Sequence, residues 1–401
     1  MRSALPRCFA PKPEIGHPQS VPRLLPFLVF LAVALSLVGG MHYYIWARLV
    51  RDTHLPHGWA RALTVLIAAL AVTMPATVIA ARLLPSAAVR PAIWLAFTWM
   101  GVGFLLVAFL GIADAGRLAA FAISRLRGGT DADPARRLLL ARTLAAGVGG
   151  VVAGLSAAGV RSALAGVHIK ELDVKLRGLP RQLAGFRMVQ ISDVHVGPLL
   201  RKDWVAHVVD QIRALSPDLV AITGDLVDGR VHELREHVAP LSTLAPKHGV
   251  YFVTGNHEYY SGVEEWYAHL PKLGIRPLRN ERVEVAPGLE VAGIEDPTGD
   301  PDLQAALEGR DPSRALVLLA HQPRQFAEAA RRGVPLTLSG HTHGGQIWPF
   351  SWLVALAQPY LAGLHRRGDS LLYVSRGTGF WGPPMRVFAP AEITLLKLQP
   401  A

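Results

Sequence analysis

Four long runs without a single Asp, Glu, Lys or Arg come first along the chain, at residues 24–47, 62–81, 91–113 and 143–160. Each has roughly the length that a helix needs to cross a hydrocarbon core of about 30 Å. Residues 1–165 therefore read as a membrane region of about four transmembrane helices. Tyr43, Tyr44 and Trp46 close the first run, where an aromatic belt is expected. That run is too long, and its exit too poor in small residues, for a cleaved signal peptide, so it reads as a retained anchor. In the fourth run, Gly150 and Gly154 have the small-xxx-small spacing that suits close helix packing. The stretch "RLAAFAISRLR" at 117–127 fits an amphipathic helix on the membrane surface as well as a solvated loop.

After residue 165 the pattern changes to short apolar runs separated by polar turns. "RMVQIS", "DLVAIT", "GVYFVT", "LEVAGI", "ALVLLA", "LTLS", "LLYVS" and "EITLL" read as strands. Most are nearly continuous in Val, Ile and Leu, as expected of strands covered on both faces. Helical stretches are expected at 204–215, 264–273, 302–307 and 323–331. Residues 166–401 thus form a layered α/β domain behind the membrane region.

Composition agrees with that division. The apolar fraction is 51% and the mean hydropathy +0.28, high for a wholly soluble chain. The net charge of +11 belongs to the first 165 residues, which hold sixteen Lys and Arg against five Asp and Glu, whereas the remainder holds 25 of each. The excess is a property of loops beside lipid headgroups, and no nucleic-acid partner is expected. Cys8, the one cysteine, excludes an intrachain disulfide. Basic residues near the span ends favour neither face clearly: Arg2, Arg7, Lys12, Arg23, Arg82, Arg90, Arg161, Lys170, Lys175 and Arg177 stand on one side, Arg48, Arg51, Arg61, Arg117, Arg125, Arg127, Arg136 and Arg137 on the other. The uncleaved basic start is what points to a multi-pass protein of the cell membrane with a cytoplasmic catalytic half.

The chemistry-bearing residues fall at strand ends. Asp193 and His195 follow the first strand ("SDVHVG"), Asp225 and Asp228 the second ("GDLVDG"), Asn256 and His257 the third ("GNHE"). His321 ends "LLAHQP", and His341 and His343 sit in "SGHTHGGQIWP". Loops at the carboxyl ends of strands in an α/β sheet converge on one rim. Five loops would bring three carboxylates, one amide and five imidazoles there, which is the composition of a metal site. Imidazole and oxygen donors without thiolate favour Mn, Fe or Zn over Mg or Ca.

The order "DVH", "GDLVD", "GNHE", "AHQP", "GHTH" resembles that of the calcineurin-like metallophosphoesterases, over about 167–398. "GLPRQLAGFRMVQISDVHVG", "SGHTHGGQIW" and "SRGTGFWGPPMRVFAPAEI" look most like the branch of membrane-associated bacterial phosphodiesterases. The resemblance implies a four-layer αββα sandwich and two divalent cations. Asp193, His195 and His343 would hold the first, Asn256, His321 and His341 the second, with Asp225 bridging them. It further implies that His257 is a general acid oriented by Asp228. The expected reaction is hydrolysis of a phosphodiester or pyrophosphate bond in a phosphorylated amphiphilic substrate, lipid-linked or a nucleotide-sugar lipid. An activity like that of UDP-2,3-diacylglucosamine hydrolase falls within that class, and membrane lipids are expected partners. Many phosphoprotein phosphatases carry Arg directly after the second Asp, whereas here Gly229 precedes Arg230, which argues against that substrate class. Asp296 and Arg376 receive no role.

The alternative is a membrane transporter or channel with a regulatory metal-binding domain. It finds no support in the four runs, which carry no charge that would mark a pathway. Arg142, at the margin of the fourth, is explained by snorkelling. Specificity would reside in residues 259–267 and 346–367. The apolar side chains of the second segment, Trp348, Phe350, Trp352, Leu353 and Leu356, suit lipid contact as well as ordinary packing.

Overall fold

The structure is a computed structural model that describes residues 24–84, 86–128 and 133–401. Cys8, Arg2, Arg7, Lys12 and Arg23 lie outside the described residues. The four apolar runs are helical: α1 (Leu24–Trp46), α2 (His57–Leu83), α3 (Ser86–Leu126) and α4 (Pro134–Leu164). Among the described residues three segments, His57–Ala81, Ala88–Leu126 and Pro134–Leu164, are long and apolar enough to cross a membrane. The 117–127 stretch is neither a separate surface helix nor a loop, because α3 runs unbroken to Leu126. Asp114 is tolerated inside it by accepting hydrogen bonds from Tyr44 of α1 (2.7 Å) and from Arg48 in the turn that follows (2.8 Å). Arg142, an exposed residue, donates to the carbonyls of Thr53 and His54. Gly150 and Gly154 face open space. The close-packing glycine of α4 is Gly159, where a Cβ would stand 2.8 Å from Val387.

The second half contains twelve strands among the described residues, in two six-stranded sheets. The first has the order β1-β12-β2-β3-β4-β5: β1 (His168–Leu176), β2 (Phe186–Ile191), β3 (Leu219–Thr223), β4 (Val250–Val253), β5 (Ile275–Pro277) and β12 (Glu392–Pro400). The second has the order β10-β11-β9-β8-β7-β6: β6 (Glu281–Ala286), β7 (Leu289–Gly293), β8 (Ala315–Leu319), β9 (Leu336–Ser339), β10 (Gly363–Arg367) and β11 (Ser370–Val374). Strands β2 to β5 run parallel, as do β7, β8, β9 and β11. All the expected strands are present. Strands β1, β6 and β10 lie at sheet edges and leave most of their positions exposed or half-buried, a weaker signal than a continuous apolar run.

Alternation places successive side chains of the central strands on opposite faces. Met188, Leu219, Ala221 and Val253 meet Leu289, Val291, Val317 and Leu338 between the sheets. On the outer face of the first sheet, Val189, Ile191, Val220 and Ile222 meet α5 (Lys202–Ala214). That helix presents Val205, Val208, Val209 and Ile212 at helical spacing. Short helices follow as α6 (Val231–Val238), α7 (Asn256–Tyr260), α8 (Val263–His269), α9 (Leu303–Leu307) and α10 (Phe326–Arg331), and on the outer face of the second sheet Leu316 and Leu318 cover Leu303, Ala306 and Ala329 of the last two. The result is the four-layer αββα sandwich.

The two halves are packed together. Ile347, Met385 and Val387 of the sandwich share an apolar cluster with Ile45, Leu105, Leu106 and Val148 of the helices. The backbone N–H of Arg386 donates to the Gly159 carbonyl of α4 at 2.9 Å.

Candidate metal centre

The site forms where β2, β3, β4, β8 and β9 end on one rim. The loops after β2 and β3 are tied by backbone bonds from Asp193 N to Gly224 O and from His195 N to Asp225 O. Beneath them, buried Gln190 of β2 donates to Thr223 Oγ1 (2.8 Å) and to Ser339 O across the sandwich (3.0 Å). The two sheets are thus fixed to each other directly under the chemistry.

The chain pays locally for the convergence. Asp193, His195, Asp225, His341 and His343 all adopt left-handed backbone, with φ between 49° and 72°. Such conformations are uncommon without glycine and cost of order 1–3 kcal/mol each. Two glycines permit the close approach of the ligand side chains. A Cβ on Gly255 would fall 2.1 Å from Asp225 Oδ1, and one on Gly340 would fall 2.2 Å from Asp193 Oδ2.

Three sets of side chains offer donor atoms within 4.8 Å of one another: Asp193, His195 and His343; His195, Asp225 and His257; Asp225, His321 and His341. His195 Nε2 and His343 Nε2 stand 3.0 Å apart, and His343 Nε2 is 3.4 Å from Asp193 Oδ1. Asp225 Oδ2 lies 3.2 Å from His321 Nε2, which is itself 3.2 Å from His341 Nδ1, and 3.9 Å from His195 Nε2. Asp225 is therefore shared between the sets. Its Oδ1 accepts from the backbone N–H of His257 at 2.9 Å. Asn256 Oδ1 is buried and has no hydrogen-bond partner. An unsatisfied buried acceptor costs about 1–3 kcal/mol, and a cation shared with the adjoining imidazoles would satisfy it. The donor set fits a pair of divalent cations.

The electrostatics divide the imidazoles: His341 and His343 are held neutral, whereas the surrounding carboxylates favour the charged form of His195 and His321. Burial pushes the His341 ring down to about 3, with His321 adding to the effect, and burial and Arg386 hold His343 well below the ordinary imidazole range. Both rings are neutral and have lone pairs to give. Burial opposes charge on His195 as well, but Asp228, Asp225 and Asp193 carry it up to about 9. Asp228 is held ionised, at about 2, against the cost of its burial, by His195 and His257. One oxygen, Asp228 Oδ1, serves both rings: His195 Nδ1 lies at 2.9 Å and His257 Nδ1 at 2.7 Å.

Two functional side chains escape the motif reading. Glu258, fully buried, accepts from the backbone N–H groups of Asp225 (3.0 Å), Leu226 (2.7 Å) and Gly255 (2.7 Å), and so ties the β3 loop to the β4 loop. Its place directly after Asn256 and His257 in "GNHE" is the one signal that points to it. Arg386, 2% exposed, donates to the carbonyls of His343 (3.0 Å), Ala389 (3.3 Å), Arg376 and Gly379, with Nη2 3.2 Å from His343 Nδ1. It fixes the loop that carries His343. Nothing local in the sequence marks it. Asp296 and Arg376 have structural partners: Asp296 accepts from Gln322 (2.8 Å) and from Thr298 N (2.8 Å), and Arg376 pairs with Glu392 (3.2 Å).

Residues 186–345, which carry every ligand candidate described above, match the calcineurin-like phosphoesterase family. An uncharacterized metallophosphoesterase of Helicobacter pylori strain J99 is 40% identical over 275 residues, covering 67% of this chain and 73% of that protein. A Bos taurus transmembrane protein with metallophosphoesterase domain is 38% identical over 331 residues, covering 76% and 73%. The corresponding Danio rerio protein is 34% identical over 328 residues, covering 77% and 74%. The last two similarities extend beyond the 236 residues of 166–401 and so reach into the apolar helices. Sandwich, convergent donor set and sequence likeness agree, and the chain belongs to the calcineurin-like metallophosphoesterases, metal-dependent phosphoester hydrolases.

Proposed function

We propose that this protein hydrolyses a phosphodiester or pyrophosphate bond in a lipid-linked or nucleotide-sugar-lipid substrate at the cell membrane, with its catalytic half on the cytoplasmic face. The observation that supports hydrolysis with a poor leaving group is the Asp228–His257 pair beside the ligand cluster. Asp193, His195 and His343 would hold one cation, Asn256, His321 and His341 the other, and Asp225 both; Mn, Fe or Zn suits these donors. When bound, two such ions activate water and neutralise charge developing on the phosphoryl group.

The side chains account for the rest. Asp228 accepts from His257 Nδ1 at 2.7 Å and fixes the orientation of its ring. His257 Nε2 is then the proton donor to the departing oxygen, a role worth about 10²–10⁴-fold in rate. The leaving group needs that proton when it is a sugar or lipid alkoxide. Exposed Trp381 and Tyr260 set their rings 5.5 and 5.6 Å from His257 and offer apolar walls to that leaving group. An amphiphilic substrate follows from the apolar helices that adjoin this half.

The test is incubation of the purified full chain with lipid pyrophosphates, nucleotide-sugar lipids and simple diesters, with products identified by mass. Release of a phosphomonoester from a lipid-linked substrate is expected; activity confined to soluble monoesters overturns the reading. His257→Ala should keep its metal and lose at least about 10²-fold in kcat. A variant as fast as the parent removes His257 from the mechanism.

A further inference from the structure

The helix α11 (Phe350–Ala357), "FSWLVALA", follows the metal-site loop, carries no charge, and has no buried residue. Phe350, Trp352, Leu353 and Leu356 are 44%, 60%, 56% and 86% exposed. Soluble surfaces seldom leave so continuous an apolar patch open. Its neighbours indicate what covers it. The Phe350 ring meets Phe104 edge-on at 5.7 Å, and Trp348, just ahead of the helix, meets Phe109 at 5.9 Å. Phe104 and Phe109 lie mid-way along α3, inside the segment Ala88–Leu126 that is long and apolar enough to cross a membrane. The open face of α11 therefore continues the apolar surface of a spanning helix. A short apolar helix beside the middle of a span lies within the hydrocarbon layer.

We propose that α11 is an insertion into the bilayer and that the acyl chains of membrane lipid occupy its exposed face. For its consequence to substrate, the proposal rests on the phosphoesterase reading above. Gln346, at the root of the insertion, donates Nε2 to the Trp381 carbonyl (2.8 Å) and accepts from the Trp381 N–H (3.0 Å). Trp381 in turn walls His257. The membrane insertion and the side of the site are thus one connected piece, which holds the mouth of the site at the lipid surface. A substrate keeps its tail in the bilayer while its phosphate reaches His257.

The insertion is tested without activity. Cys8 is the sole cysteine, so a Cys8→Ser, Leu353→Cys chain takes one environment-sensitive fluorophore and is reconstituted in dioleoyl phosphatidylcholine vesicles. Blue-shifted emission, quenched by acyl-chain nitroxides and shielded from aqueous iodide, is expected; a label on exposed Glu308→Cys should behave oppositely. Iodide quenching at 353 equal to that at 308 overturns the proposal. The consequence is tested with Leu353→Asp, Leu356→Asp. Hydrolysis of soluble bis-(p-nitrophenyl) phosphate should stay within about twofold of the parent, while that of p-nitrophenyl hexadecyl phosphate in the same vesicles falls at least about tenfold. An equal effect on both removes the link to substrate. A parent chain inert toward both probes instead removes the phosphoesterase reading, and the fluorescence result still decides the insertion.

Discussion

Gly340→Ala isolates how tightly the metal ligands are packed against the backbone. Gly340 directly follows β9 and donates its N–H to the His321 carbonyl, and its φ is not in the left-handed region, so alanine adds no backbone strain there. What it adds is a Cβ placed 2.0 Å from Ser192 Oγ and 2.2 Å from Asp193 Oδ2. Ordinary contact begins at 3.4 Å, so the carboxylate oxygen must retreat by about 1.2 Å. Rotation away gives up the hydrogen bonds that both Asp193 oxygens accept from the His341 N–H at 2.9 and 3.1 Å. Metal sites tolerate ligand displacements of about 0.2 Å, and a misplacement of about 1 Å costs on the order of 10²-fold, about 2.7 kcal/mol, in kcat/KM. The assay is metal content by mass spectrometry after dialysis, alongside kcat/KM on a chromogenic phosphodiester. Gly274→Ala is the control. Gly274 has φ 74° and open space around it, so its variant should lose about 1–2 kcal/mol of stability with metal and turnover unchanged. A Gly340→Ala protein that keeps two ions and a rate within about threefold of the parent refutes the reasoning.

Asp225→Asn removes the charge shared by the donor sets and should lose both ions and all turnover; retention of two ions by mass spectrometry would deny the bridging role. Arg386→Lys replaces a planar fork with a point charge that cannot reach four carbonyls at once. It should weaken metal binding about 10–100-fold and lower stability by about 3 kcal/mol. A lowered Tm with unchanged metal affinity would confine Arg386 to holding loops together. Chelation should destabilise the catalytic half by about 4 kcal/mol if free metal stands a thousandfold above Kd, which is a fall of about 8–16 °C in Tm for a domain of this size. A Tm indifferent to complete metal removal would count against a built dinuclear site.

The strands that carry the ligands were legible because they are buried on both faces. "LVAIT" and "ALVLL" admit no polar side chain other than one threonine, and such runs bounded by turn residues have few other readings. Edge strand β10 and the eight-residue helix Val231–Val238 were not legible. Each hides only part of its surface, and their charged positions read equally well as loop. The ligand set was legible for a different reason. Cations demand a restricted choice of donors, so Asp, His and Asn at five strand ends stand out against the apolar strands before them. Left-handed φ at five of those residues was not legible, because Asp and His carry no mark of the strain they accept.

Charge and hydropathy divide the chain at residue 165, yet packing crosses that line at the point where the chemistry depends on it. Met385 and Val387 turn their side chains to the helices, and Arg386 between them turns its own to the metal-site loop. Met385 and Val387 seat in the helix cluster, with Gly101 and Gly159 small enough to admit them. Arg386, anchored through its own N–H to Gly159, turns its guanidinium to the loop of His343. The spans therefore set the position of a group that sets the position of a candidate ligand. No composition window reveals this, since it depends on a three-residue alternation read against two glycines more than two hundred positions earlier. A membrane region that served only to tether the enzyme would not need to reach within one residue of its metal site.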